Sequence, residues 1–348
     1  MTVLLLTSYE VKCKKSGEHL LIEKTTYDED QTPRTTRVNQ PIKHLTGVIV
    51  EGHVYVAPSA HLLLMSHSIP VVWMKGHELV GVSHAFAGTG TVITRRAQFL
   101  AFHEWQGANI ARGFVMGGMA NKANLLLSYA KNRTGQDMER LKTAATEVRE
   151  VLAHVQKLRT PEGVDSFRNL LMAYEARGTK IYLEALRTLY PEEYGFEKRT
   201  RRPPTDPINA ALSYGYAVIH AKCLLAVIGA GLDPYGGFLH VDRSGRTSLA
   251  LDLAEEFRQP VVDRTVTTMA VRKQLDPEHD FDREGSMCLL NSRGKNKLIT
   301  GLEERLETYV NDPAGRIKTR GMMLRQARRV VHYLLGKSKE YTPYVAGW

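Results

Sequence analysis

Apolar and polar positions follow two different periods along this chain. Up to about residue 85 the apolar runs are short, rich in Val, Ile, Leu, Thr and Tyr, and broken by turn residues. This predicts strands over 1–8, 18–23, 47–50, 53–56 and 70–74. Glu51-Gly52, between two of these runs, reads as a hairpin turn. Pro58-Ser59 ahead of 60–67 reads as the cap of a short helix. From about Arg95 the period becomes helical, with segments over 95–113, 119–131, 135–158 and 164–190, the last ended by Pro191. The basic, proline-bearing stretch 198–204 cannot be a regular helix and is expected as a solvated loop. Asp206-Pro207 opens the next helix, an apolar run over 208–228 closed by Gly229 and Gly231. A further helix is expected over 248–257, stopped by Pro260. The pattern is therefore α+β. A small β-rich domain over 1–85 and a glycine-rich linker over 86–94 precede a larger all-α domain over 95–348.

Composition narrows this picture. The 348 residues suffice for two domains at roughly 100–200 residues each. With 43% apolar and 24% charged residues the chain is an ordinary globular one, not a disordered one. No run approaches the ~18 apolar residues of a membrane span, so no membrane partner is expected. The N-terminus has neither a basic start nor a small-residue cleavage site, so no signal peptide is expected. The three cysteines, Cys13, Cys223 and Cys288, are far apart and lack CxxC spacing. That excludes a disulfide scaffold and a cysteine zinc site, and it fits a reducing cytoplasm. The net charge is +10, yet residues 1–90 sum to zero, so the whole excess lies in 91–348. The two parts thus have different work, and the basic one would attract a polyanion, most simply nucleic acid.

The chemistry is concentrated in three places. HExxH, GxxxxGK[ST] and GxSxG are all absent, which disfavours a zincin, a P-loop ATPase and an α/β-hydrolase. The first place is the helix of Phe167, Leu171, Tyr174, Gly178 and Ala185, whose apolar stripe carries Glu175 at its edge. Alone, Glu175 reads as a solvated helix carboxylate. The second is Gly231–His240, where Asp233-Pro234 and Gly236-Gly237 make a rigid turning loop that delivers His240. Alone, His240 reads as structural. The third is Ser248–Arg258, where Asp252, Glu255 and Glu256 stand at i, i+3 and i+4, near one helix face, with Arg246 and Arg258 able to relieve their repulsion. Together, two carboxylates and an imidazole in a basic protein form a hard-ligand set for magnesium or manganese, which can polarise a phosphodiester.

These stretches, in this order, resemble the CRISPR-associated endonuclease-integrase of spacer acquisition, CRISPR-associated protein one. The residues that carry the resemblance are Met172-Ala173-Tyr174-Glu175, Asn209–Tyr216, Gly231–His240 and Leu251–Arg264. It is specific over about 165–270 and looser before that. One departure is Ala176, where the family often has Gly; alanine is the better helix former, so no loss of activity is expected. The resemblance implies an N-terminal β-rich dimerisation domain and a helical catalytic domain. It implies a metal held by Glu175, His240 and Glu255, with Asp252 close enough to assist. The implied reaction is phosphoryl transfer, in which a 3′-hydroxyl of a short DNA fragment attacks a repeat phosphodiester, or water does so in a nuclease. The implied partners are double-stranded and branched DNA, a second copy of the chain, and a small companion, CRISPR-associated protein two. A transposon integrase of the casposase type shares these motifs, and a scaffold with a dead site is the reading from another class. Three basic groups are expected to meet phosphates: Lys198, Arg199, Arg201 and Arg202 in a loop; Arg293, Lys295 and Lys297 in a short turn; and Arg325, Arg328 and Arg329 on one helix face.

Overall fold

A computed structural model describes residues 2–7, 10–27, 32–85 and 92–347. The chain divides into two compact units, Met1–Gly90 and Thr91–Trp348. In the first unit β1 (Thr2–Thr7), β2 (Val11–Ser16), β3 (His19–Tyr27), β4 (Pro33–Pro41), β5 (Leu45–Glu51), β6 (Val54–Val56), α1 (Pro58–Ser66), β7 (Val71–Lys75) and β8 (Glu78–Ser83) follow in turn. They form two four-stranded sheets, ordered β1-β5-β7-β8 and β4-β3-β2-β6. Strand β5 lies between two parallel neighbours, and its Val48, Ile49 and Val50 are all buried. Leu6, Val11, Cys13, Leu20 and Leu64 share one core.

Strands β2, β4 and β8 are not evident from apolar runs, because their lysines, threonines and polar edges mask the pairing that forms them. Glu51-Gly52 is not a hairpin turn. Gly52, at φ +80°, turns the chain out of one sheet into the other, where β6 runs parallel to β2. Of the expected linker, 86–91 lies outside the described residues, and 92–94 already belongs to a helix.

The second unit contains α2 (Val92–Ala101), α3 (Trp105–Ala130), α4 (Gly135–Lys157), α5 (Asp165–Arg187), α6 (Pro207–Gly229), α7 (Ser248–Ala254), α8 (Arg264–Val271), α9 (Ser292–Glu307) and α10 (Thr319–Leu334), with two short hairpins, at 281–290 and 309–318. A π-helical turn, Arg258–Asp263, holds Pro260 between α7 and α8. The expected break between 113 and 119 does not occur. Helix α3 runs through it, and the interruption comes at 102–104 instead. Its glycines are points of close approach: a Cβ on Gly113 would lie 2.5 Å from the Tyr341 ring, and one on Gly118 3.2 Å from the Glu255 carbonyl oxygen.

Helix α6 starts as expected, with Asp206 accepting from the Asn209 N–H at 2.9 Å. Against the expectation that no run approaches a membrane span, it is 23 residues long and apolar enough to cross a membrane, but 78% of its most apolar window is buried, as in a core helix. All three cysteines are free and buried.

Candidate active site

Helix α5 buries Phe167, Leu171, Gly178, Tyr182 and Ala185 and leaves Glu175 on the boundary of that face. Its carboxylate accepts from Thr179 Oγ1 at 2.6 Å and from Lys122 Nζ, on α3, at 3.1 Å. Burial pushes the Glu175 carboxyl up, but Lys122 and the Thr179 hydroxyl outweigh it and hold the group well below the usual carboxylate range.

His240 is presented by the loop that leaves α6. Gly231, at φ +82°, reverses the chain, and Asp233 Oδ1 accepts from the N–H groups of Tyr235 and Gly236. Gln98 of α2 locks the loop: its Nε2 donates to the Asp233 and Gly236 carbonyls at 2.8 and 2.7 Å, and its Oε1 accepts from Asp233 N–H. At Gly237 the backbone passes so close to α7 that a Cβ would stand 2.6 Å from Ser248 Cβ. Asp252, with no exposed surface, closes the loop by accepting from the N–H groups of Phe238, Leu239 and His240 and from His240 Nδ1, all within 2.9 Å. The Asp252 carboxylate therefore fixes Nδ1 as a donor and leaves Nε2 as the acceptor, 3.8 Å from Glu255 Oε1. With both oxygens taken up in this way, Asp252 orients His240.

Helix α7 ends at Ala254; Asp252 and Glu255 both meet His240, while Glu256 does not share their side as expected and turns toward the C-terminal segment. Glu255 accepts from Arg258 Nη1 at 2.5 Å. Arg258 and Arg199 lie over the Tyr216 ring at 5.2 and 5.5 Å, and Tyr216 and Tyr182 both donate to Asp263. Glu256 is buried and serves the fold. It accepts from Tyr341 OH at 2.5 Å, Gln326 Nε2 at 2.7 Å and Tyr344 N–H at 2.8 Å, while Asn121 ties its carbonyl to the same C-terminal segment.

Glu175 and Glu255 line one cleft of about 30 Å³ with Lys122, Arg199, Arg201 and Arg258, and His240 stands beside Glu255. Two hard carboxylates and an imidazole with its ligating nitrogen on the cleft side suit a divalent cation. Among the described residues no three such side chains are already gathered closely enough to grasp an ion. Lys122 and Arg258 hold the two carboxylates, and an ion would compete with them.

The basic groups divide. Arg201 lines the cleft, and Lys198 and Arg202 are exposed. Arg199 is not solvated: it donates to Asn209 Oδ1 at 2.7 Å and Ser213 Oγ at 2.9 Å. Arg293, Lys295 and Lys297 lie in the first turns of α9 rather than in a short turn. Arg293 and Lys297 both pair with the buried Asp280, and Lys295 lies over the Tyr214 ring. Arg325 and Arg329 both clamp Asp312, which leaves only Arg328 of that helix face exposed. Sequence reasoning missed Lys122, Thr179 and the Tyr182–Asp263–Tyr216 bridge. Lys122 carries a usable signal, as the one charged residue in the stretch Met119–Leu127.

Residues 4–304 match the family description "CRISPR associated protein Cas1". A curated relative from Archaeoglobus fulgidus, "CRISPR-associated endonuclease Cas1 1", is 34% identical over 342 residues, covering 95% of this chain and 98% of that one. Among solved structures, "Casposase bound to integration product" superposes with a TM-score of 0.82 at 23% identity, over 98% of this chain and 93% of that one. A chain of a "Cas6-RT-Cas1--Cas2 complex" superposes with a TM-score of 0.79 at 20% identity, over 99% of this chain and 36% of that longer one. At these identities the two structures carry the fold alone.

Proposed function

The chain belongs to the Cas1 family, and from that premise we propose that it is a metal-dependent DNA endonuclease-integrase that inserts short DNA fragments into a CRISPR repeat array. One observation carries this reading. Two carboxylates, Glu175 and Glu255, share a cleft edged by four cations, and a histidine locked by Asp252 stands beside them. Glu175, Glu255 and His240 Nε2 are the groups that would hold magnesium or manganese. Such an ion supplies Lewis-acid polarisation of a phosphodiester when bound.

The chain's own residues do the rest. Lys122, Arg199, Arg201 and Arg258 set positive charge around the cleft, which favours a phosphodiester and offsets the charge that develops as a hydroxyl attacks in line. The same site cleaves when water replaces the 3′-hydroxyl. Asp252 keeps His240 in one tautomer and one orientation.

For partners, the reading takes branched and double-stranded DNA, a second copy docked through the neutral 1–85 region, and the small companion Cas2, with which a relative of the same fold was solved. A casposase-type integrase has the same fold, but the sequence relationship runs to a CRISPR-associated endonuclease at 34% identity.

The test is cleavage of a branched duplex with manganese or magnesium. Glu175→Ala, His240→Ala and Glu255→Ala should each lose cleavage and integration while remaining folded at the assay temperature, as far-ultraviolet circular dichroism would show. Cleavage by all three at the parent's rate would refute this site, and a parent without metal-dependent cleavage would leave the dead-scaffold reading standing.

A further inference from the structure

Lys122 is a buried lysine, 2% exposed, in the middle of α3. Two glycines make room for it there. A Cβ on Gly118, one turn earlier on α3, would lie 3.2 Å from the Glu255 carbonyl oxygen, and one on Gly178 of α5 would lie 3.3 Å from Met119 Cε. Helix α3 is thus held close to the segment of Glu255 and to the helix of Glu175 at once. Lys122 Nζ meets the Glu175 carboxylate at 3.1 Å, and Arg258 Nη1 meets Glu255 Oε1 at 2.5 Å. Each of the two carboxylates proposed to hold the ion therefore already has a counter-cation from the chain itself.

The charges lining the cleft are the carboxylates of Glu175, Glu255 and Asp263 and the cations Lys122, Arg199, Arg201 and Arg258. Asp263 is engaged by Tyr182 and Tyr216. A divalent ion placed between Glu175 and Glu255 would add positive charge beside Lys122 and Arg258, and like charges so close repel. Lys122 is enclosed, so parting its ammonium from Glu175 leaves a buried charge without its partner. An anion in the cleft removes that cost. A phosphate does so well, because lysine and arginine both donate to its oxygens.

We propose that Lys122 couples the ion to the substrate. It holds Glu175 until a DNA phosphate enters the cleft and then donates to that phosphate, which frees the carboxylate for the ion. This rests on the metal site proposed for Glu175, Glu255 and His240. The coupling is reciprocal: the ion tightens DNA binding by the factor by which DNA tightens ion binding. Before DNA arrives, the lysine keeps the site a poor ion binder.

The experiment titrates the full chain, Lys122→Met and Glu175→Ala with manganese, followed by loss of the free ion's electron paramagnetic resonance signal. Each titration is run without DNA and with a branched phosphorothioate duplex, which keeps the backbone charge and slows cleavage, and binding to the duplex alone is subtracted. Methionine keeps an unbranched apolar stem and removes the charge. The duplex should tighten manganese binding to the parent by about tenfold, an ordinary size for coupling between sites. Lys122→Met should bind manganese about tenfold more tightly than the parent without DNA and gain little more from the duplex. Manganese binding to Lys122→Met no tighter than to the parent overturns the coupling. So does a parent whose affinity ignores the duplex, even should Lys122→Met not fold. In either case loss of binding in Glu175→Ala leaves the metal site standing. Manganese held equally well by Glu175→Ala removes the metal site and the coupling together.

Discussion

Asp252 is saturated at the level of single atoms, and this separates it from its neighbour Glu255. Four hydrogen bonds converge on its two oxygens. Asp252→Asn replaces one of those acceptors by a donor and frees the imidazole to turn. Metal affinity should fall about 10–100-fold, and a manganese titration of cleavage should show activity recovering at high metal. Glu255→Ala should not recover. The reverse pattern would make Asp252 the ligand. Glu256 gives a pH signature. Burial raises its carboxyl from the ordinary value near 4.5 to about 7. The folded form therefore holds its proton more tightly than the unfolded one. Its contribution to stability is complete below about 4.5 and is lost as pH rises through about 7, by an amount on the order of 3 kcal/mol. Glu256→Gln should flatten the melting temperature across that window, and an unflattened profile would assign the titration elsewhere. At this scale the His240 loop was readable, because Gly, Pro and Asp announce a turn chemically. The partners of Glu175 were not, because Lys122 is 53 residues away and only helix packing brings it near.

Helices show where periodicity informs and where it misleads. The N-cap of α6 was legible because one side chain and one N–H settle it. The run through α3 was not, since Gly113, Gly117 and Gly118 look like breaks but are places where Tyr341, Pro343 and Glu255 come close. The basic face of α10 was half right. A spacing of i, i+3 and i+4 does align three arginines, but Asp312 engages two of them. Removing all three would strip a buried carboxylate of its partners and destabilise the fold, so it no longer isolates DNA binding. Arg328→Ala is the cleaner variant. If α10 faces DNA, the slope of log K against log salt should fall by about 0.9, with base preference unchanged. No change in slope would point α10 away from DNA.

For the whole chain, the change of period near residue 85 lies close to the division into two compact units, although the two-sheet arrangement of the first was hidden. Parallel pairing of β1, β5 and β7 joins strands distant in sequence, which local patterns cannot register. If residues 1–85 make the dimer, a fragment spanning 91–348 should run as a monomer in light scattering, and a stable dimer of that fragment would refute the assignment. The three buried cysteines have a practical consequence for such work. Burial pushes all three thiols up, those of Cys13 and Cys288 to about 11, so the reactive thiolate is scarce as well as enclosed. A chromogenic thiol reagent should count almost none in the native chain and three in denaturant. The molecule is in effect blank to maleimide chemistry. A cysteine introduced in each unit would accept a fluorophore without first deleting the native ones, and the separation of the two units could then be followed in single molecules by energy transfer.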